Sequence, residues 1–224
     1  MAFGYCLKAI STMDRGSHWD NVFSRRQPTE LSWYQPQLRI SLELISSLQL
    51  PYDSNIIDVG GGDSTLVDDL LGRGYTSVAV LDISPVALER AKKRLGQRAT
   101  RVKWIIGDVT QVNLAEGKYD LWHDRALFHF LIESEERQQY IKTMQRALRK
   151  GGYWVVATFA PEGPEVCSGL PTMRYSPKAL GELVGTDYKL IESRKELHKK
   201  PQGGAQEFVY CVFQKRKIRV SRNT

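Results

Sequence analysis

Between about residues 52 and 160 the chain alternates short apolar runs with amphipathic stretches, and the first of those runs breaks into three consecutive glycines. Such alternation favours a parallel sheet, because parallel neighbours need a crossover and a helix supplies it. The first strand reads Asn55-Ile56-Ile57-Asp58-Val59-Gly60, and a helix follows from about Ser64 to Leu71, stopped by Gly72 and Gly74. Ser77–Ile83 is the second strand. Ser84-Pro85 then opens a helix with Ala87, Leu88, Ala91 and Leu95 on one face. Further strands are expected at Val102–Ile106, around Tyr119–His123 and at Tyr153–Phe159. The last follows a long helix from about Ser134 to Arg149, ending at Lys150-Gly151-Gly152. Beyond a Pro- and Gly-rich loop from Pro161 to Pro171, a short helix is expected after Ser176-Pro177. Tyr188–Ser193 and Phe208–Gln214 read as a hairpin at the sheet edge. The fold class that follows is α/β: a doubly wound, mostly parallel seven-stranded sheet with a C-terminal antiparallel hairpin.

The 224 residues suffice for one well-buried domain. The sequence divides into an N-terminal extension (1–17), a domain (18–214) and a basic tail (215–224). No apolar run approaches the ~20 residues needed to cross a bilayer, and the opening residues carry Lys8 as their only charge with no cleavage site. Cys6, Cys167 and Cys211 are odd in number and lack metal-type spacing, which favours a reducing, cytoplasmic setting without disulfides or metal. The net charge of +7 is concentrated in the tail, where Lys215, Arg216, Lys217, Arg219 and Arg222 stand without an acid. The body is therefore nearly balanced, and nucleic acid is disfavoured as a partner. The expected assembly is a monomer or homodimer.

A helix that starts straight after a buried strand forces a sharp turn, and Gly60-Gly61-Gly62 allows both the turn and a close ligand approach. Thr65 stands where a dinucleotide fingerprint needs its third glycine, and no Gly-Lys-Ser/Thr follows to make a P-loop. Asp82 closes the second strand, where a carboxylate can accept hydrogen bonds from a ribose diol. Gly107-Asp108-Val109 ends the third. Three acids at three successive strand ends meet at the edge where such sheets bind ligands.

Asp58, Gly60 and Gly62 match the D/E-x-G-x-G spacing, so the segment resembles the motif of class I S-adenosylmethionine (SAM)-dependent methyltransferases. The resemblance covers roughly Trp19 to Phe213 and implies SAM as cofactor, with S-adenosylhomocysteine (SAH) as product. It implies a cofactor set of Trp33, Asp58, Gly60, Gly61, Gly62, Asp82, Ile83, Asp108 and Val109, with Asp108 at the adenine amino group and Val109 flanking the ring. His18-Trp19-Asp20-Asn21-Val22-Phe23 and Ser32-Trp33-Tyr34 resemble the lead-in of a branch that includes protein-lysine methyltransferases. Trp33 or Tyr34 would close over the methionine end of SAM, or the aromatics pin the N-terminal helix to the sheet.

The fourth strand runs into His123-Asp124-Arg125-Ala126-Leu127-Phe128-His129-Phe130, beside the transferable methyl in this fold. No N/D-P-P-Y/F element is present, which counts against DNA bases and glutamine as acceptors; the usual lysine-methyltransferase signature is missing there too. Methyl transfer needs alignment and exclusion of water, and a base only if the nucleophile arrives protonated. His129 is the first candidate base and His123 the second, packing or hydrogen bonding being the alternative for each. Asp124 is expected either to stabilise the sulfonium or orient a histidine, or to pair with Arg125. Pro164–Pro171 is placed to cover the acceptor pocket, and Tyr34, Phe128, Cys167 and Arg174 are its expected contacts. The leading reading is methylation of a small-molecule nucleophile such as a thiol. Protein-lysine methylation is the first alternative, and a non-catalytic SAM-binding or RNA-associated module the second.

Overall fold

The computed structural model describes residues 12–217. In chain order the main elements are α1 (Thr12–Arg25), α2 (Arg39–Ser47), β1 (Asn55–Val59), α3 (Leu66–Gly72), β2 (Ser77–Asp82), α4 (Pro85–Leu95), β3 (Val102–Ile106) and β4 (Tyr119–Arg125). They continue with α5 (Ser134–Ala147), β5 (Leu148–Phe159), the short strands β6 (Val166–Cys167) and β7 (Leu170–Pro171), α6 (Pro177–Val184), β8 (Tyr188–Lys199) and β9 (Ala205–Lys215). Seven strands form one sheet in the order β3-β2-β1-β4-β5-β9-β8, parallel up to β5 and closed by the antiparallel β9 and β8. This is the expected doubly wound architecture.

Both faces of the parallel part are covered, so β1, β2 and β4 are buried almost throughout, while the edge strand β3 is partly exposed. Alternate strand residues feed two cores. Ile57, Val59, Leu81, Trp122 and Val156 pack with α5 and α6 through Tyr140, Met144 and Leu180. Ile56, Val80, Leu121 and Val155 pack with α2, α3 and α4 through Leu42, Leu70 and Leu88. Burying each such side chain contributes roughly 1.5–3 kcal/mol against the entropy of ordering it.

Several boundaries differ from the sequence expectation for local reasons. Helix α3 starts at Leu66 because the glycine turn extends to Ser64, whose amide donates to the Gly61 carbonyl at 2.8 Å and whose Oγ accepts from Leu66 N at 3.2 Å. Strand β4 continues through Asp124 and Arg125, paired to Val156 and Ala157, since both charged side chains find buried hydrogen bonds. Lys150-Gly151-Gly152 lies within β5 and does not cap α5; the register shift beside it is where Gly151 takes φ +79°. The hairpin strands are longer than expected and meet across a turn closed by Lys200 N donating to the Gly204 carbonyl at 3.0 Å. Helix α1 begins ahead of the expected domain start at residue 18, while residues 1–11 of that extension and 218–224 of the tail lie outside the described residues. Lys215, the first residue assigned to the tail, ends β9 and donates to the Gln145 and Leu148 carbonyls at 2.5 and 2.8 Å. No described helix is long and apolar enough to cross a membrane.

Candidate active site

The strand order reverses between β1 and β4, and beyond their C-terminal ends opens a cleft. Its glycine turn is stitched to the neighbouring strand, Gly60 N donating to the Leu81 carbonyl at 2.8 Å. Gly60 and Gly62 have φ of +66° and +50°, the left-handed region that side chains with a Cβ avoid. A Cβ on Gly60 would stand 2.5 Å from Leu127 Cδ1, and one on Gly61 2.7 Å from Asp58 Oδ2 and 2.8 Å from Val80 Cγ1. Gly60→Ala is therefore expected to destabilise the fold by about 2–4 kcal/mol, combining left-handed backbone strain with overpacking. Urea denaturation of the variant measures this directly.

Carboxylates gather around the turn. Asp58 is buried on β1, and His123, opposite it on β4, places Nδ1 2.7 Å from Asp58 Oδ1 and Nε2 2.9 Å from Ser41 Oγ. Both ring nitrogens are thus hydrogen-bonded, Nδ1–H donating to Asp58. Asp82 closes β2 with Oδ1 accepting from Ser84 N at 2.8 Å. Burial pushes its pKa up to about 7, against the lowering effect of the Ser84 and Gly62 amides and with the Asp58 and Asp63 charges adding to the rise. Asp63 is ion-paired to Arg90 at 3.0 Å, and burial raises its pKa nonetheless. Asp108 takes Thr110 N and Oγ1 on Oδ1 at 2.8 and 2.7 Å, while its buried Oδ2 has no partner. Ile83 and Val109 complete this end of the lining. An open acceptor at Asp108, a buried carboxyl at Asp82 and a side-chain-free turn between them fit an adenosyl group.

Residues 56–152 match the model of the methyltransferase domain family. Across 197 residues the chain is 20% identical to human EEF1A lysine methyltransferase 2, covering 77% of this chain and 82% of that protein. It is 23% identical over 159 residues to the mouse eEF1A lysine and N-terminal methyltransferase, covering 68% of this chain but spanning only 22% of that longer protein. In structure it resembles the 1,6-didemethyltoxoflavin-N1-methyltransferase of Burkholderia thailandensis, crystallised with bound 1,6-didemethyltoxoflavin and SAH, at a TM-score of 0.68 and 18% identity over 97% of this chain and 92% of the other.

The chain carries a methyltransferase domain over residues 56–152 and shares the fold of SAM-dependent methyltransferases. SAM is accordingly its cofactor.

Of the residues singled out in this methyltransferase's sequence, Trp33, Tyr34, Asp58, Gly60, Gly61, Gly62, Asp82, Ile83, Asp108, Val109 and His123 line the cleft together. The other acceptor-side residues do not. His129 is fully buried under Phe159, with ring centroids 4.2 Å apart, and its Nδ1 accepts from Phe159 N at 3.3 Å. Burial and the Arg125 charge push its pKa down to about 3, so it is a core group and a poor proton acceptor at neutral pH. His123 lines the cleft, but both ring nitrogens are committed, which makes it a support for Asp58. Asp124 pairs with neither a histidine nor Arg125: it accepts from Leu127 N, Phe128 N and Tyr140 OH on the α5 side of the sheet. Phe128 is core, packed on Tyr140, Trp154 and Tyr175. Cys167 is buried with Sγ 3.7 Å from Ser32 Oγ, and burial raises its pKa. Arg174 is ion-paired to Glu165 at 2.9 Å. The Pro164–Pro171 segment folds into the β6–β7 hairpin and contributes nothing to the lining.

Sequence reasoning missed Arg15, Gln35, Arg125 and Phe130 as cleft residues and left Trp19 in the lead-in motif without a site role. Trp19 meets Trp33 and Phe130 edge-on, with centroids 5.7 and 5.0 Å apart, and so joins the N-terminal segment to the β4 end. The available signal was period 2: if Asp58 and His123 share the cleft face, Arg125, two residues beyond His123 on the same strand, shares it as well.

Proposed function

We propose that the chain transfers the methyl group of SAM to a small-molecule acceptor. The glycine turn, Asp82 and Ile83 would hold the ribose end, Asp108 and Val109 the adenine, and Trp33 and Tyr34 would cover the methionine end. SAM when bound supplies an electrophilic methyl on a sulfonium. The observation that carries the acceptor assignment is the composition of the lining. Its acids, Asp58, Asp63, Asp82 and Asp108, all belong to β1, β2, β3 or the turns that follow them, whereas the β4 end presents Arg125 and Phe130 with Trp33 and Trp19 against them. A site for a lysine amine would be expected to place a carboxylate on that side. Among the described residues His123 is the one histidine in the lining and its nitrogens are engaged, so this chain aligns reactants and excludes water, and the acceptor arrives with its lone pair free. A soft nucleophile such as a thiol suits that chemistry.

Protein-lysine methylation is the second reading, favoured by the likeness to human EEF1A lysine methyltransferase 2 along 77% of this chain. Incubation with methyl-labelled SAM, a panel of thiols and phenols, and a cell lysate separates the readings. Label in small, organic-soluble products is expected. Label confined to a protein band would transfer the assignment to lysine, and intact SAH binding with no labelled product would make the chain a SAM-binding module.

A further inference from the structure

Building on that reading, we infer that the acceptor is a planar small molecule bearing a carboxylate, and that Arg125 anchors it. Arg125 is the last residue of β4, lines the cleft beside Trp33 and Tyr34, and has a side chain only 4% exposed. Its Nε donates to Tyr210 OH at 2.9 Å and its Nη1 to the Trp33 carbonyl at 3.0 Å, while Nη2 has no hydrogen-bond partner. Glu196 Oε2 stands 3.9 Å from Nη2, beyond hydrogen-bond reach, and both Glu196 oxygens are engaged: Tyr210 OH donates to Oε2 at 2.8 Å and Gln35 Nε2 to Oε1 at 2.7 Å. The guanidinium stacks 4.8 Å from the Phe208 ring centroid, which fixes its plane. A buried donor left idle is costly, and a rigidly held guanidinium with a spare N–H is built to receive an oxyanion. Arg15, the other arginine of the lining, also leaves one nitrogen, Nη1, without a partner, but Glu136 holds its Nη2 in a direct ion pair at 2.7 Å, much closer than the 3.9 Å between Glu196 and Arg125. The edge-on aromatics Trp19, Trp33 and Phe130 provide flat apolar walls near this donor, which suits a planar body.

The test uses the full chain loaded with SAH and three probes of one shape: benzoate, benzamide and benzylamine. Tryptophan fluorescence titrations are expected to show benzoate binding about tenfold or more tighter than the other two. Arg125→Gln should abolish that preference in a variant that still takes up SAH. A wild-type protein that takes SAH but ranks benzylamine level with or above benzoate overturns the inference and leaves the methyl-transfer reading standing. Failure to bind SAH overturns both. If Arg125→Gln does not fold, the ranking of the three probes on the wild type decides alone.

Discussion

Replacing Asp124 by alanine is expected to lower the free energy of unfolding by about 3 kcal/mol or more, the scale for orphaning several buried donors at once. Asp124 is fully buried, and its carboxylate is the end of a chain of donors. Trp122 Nε1 and Trp154 Nε1 donate to Tyr140 OH at 2.9 and 3.3 Å, and Tyr140 OH donates to Asp124 Oδ2 at 2.7 Å. The other carboxylate oxygen takes Leu127 N at 3.0 Å and Phe128 N at 3.4 Å, which closes the turn that follows β4. That turn is under strain, since Ala126 holds φ +71°. Alanine would leave the tyrosine hydroxyl and two amides without an acceptor inside a dry core. Asp124→Asn keeps an acceptor oxygen and should cost clearly less. Urea denaturation of the two variants decides: equal, small losses would mean that Asp124 is not the clamp described.

Asp82→Asn should have two opposite effects, weaker SAH binding and a more stable unliganded protein. The folded Asp82 has a pKa of about 7, above its unfolded value of 3.8, because burial and two nearby carboxylates oppose its charge. The fold therefore favours the protonated acid. Its contribution to stability is complete below about pH 4 and is lost as pH rises through about 7. Asparagine carries no such loss, so at pH 8 the variant is expected to be more stable by about 1 kcal/mol or more. Binding goes the other way. An ionised carboxylate is the stronger acceptor for ribose hydroxyls, so wild-type SAH affinity should rise from pH 6 to pH 8. The variant should stay flat and bind about tenfold or more weakly at pH 8. Equilibrium dialysis and thermal unfolding across that range check both halves. Parallel stability curves for the two proteins would refute the assigned cause of the shift. A carboxylate that costs stability at the edge of a cleft is a candidate functional position.

The half of the cleft proposed to hold the cofactor was legible in sequence because backbone demands dictate it. Gly60 and Gly62 occupy left-handed positions, and Asp58, Asp82 and Asp108 each stand at or just beyond the end of a strand that reads clearly as buried. The acceptor half was not, because it depends on which way consecutive side chains turn at one strand end. Asp124 and Arg125 are neighbours in sequence, yet the pleat sends Asp124 toward α5 and Arg125 toward the cleft. His129 was the first candidate base by its type and place, with packing as the alternative; the short helical turn Phe128–Phe130 carries it beneath Phe159, where an imidazole stays neutral. The β6–β7 hairpin was read as a cover from its loop-forming composition, whereas its Cys167 packs against Ser32 of the N-terminal segment. Hydrophobic pattern and turn residues set the sheet; the acceptor pocket is set by long-range packing that no local window contains.

The central claim is that the glycine turn and the strand-end carboxylates of β1, β2 and β3 grip an adenosyl group. Isothermal titration of the wild-type chain with SAH, at pH 6 and pH 8 and in buffers of different ionisation enthalpy, addresses it most directly. One site per chain is predicted, tighter at pH 8, with net proton release on binding at pH 6 as Asp82 ionises against the ligand. No binding heat at either pH, together with no shift in thermal unfolding at saturating SAH, would contradict the account.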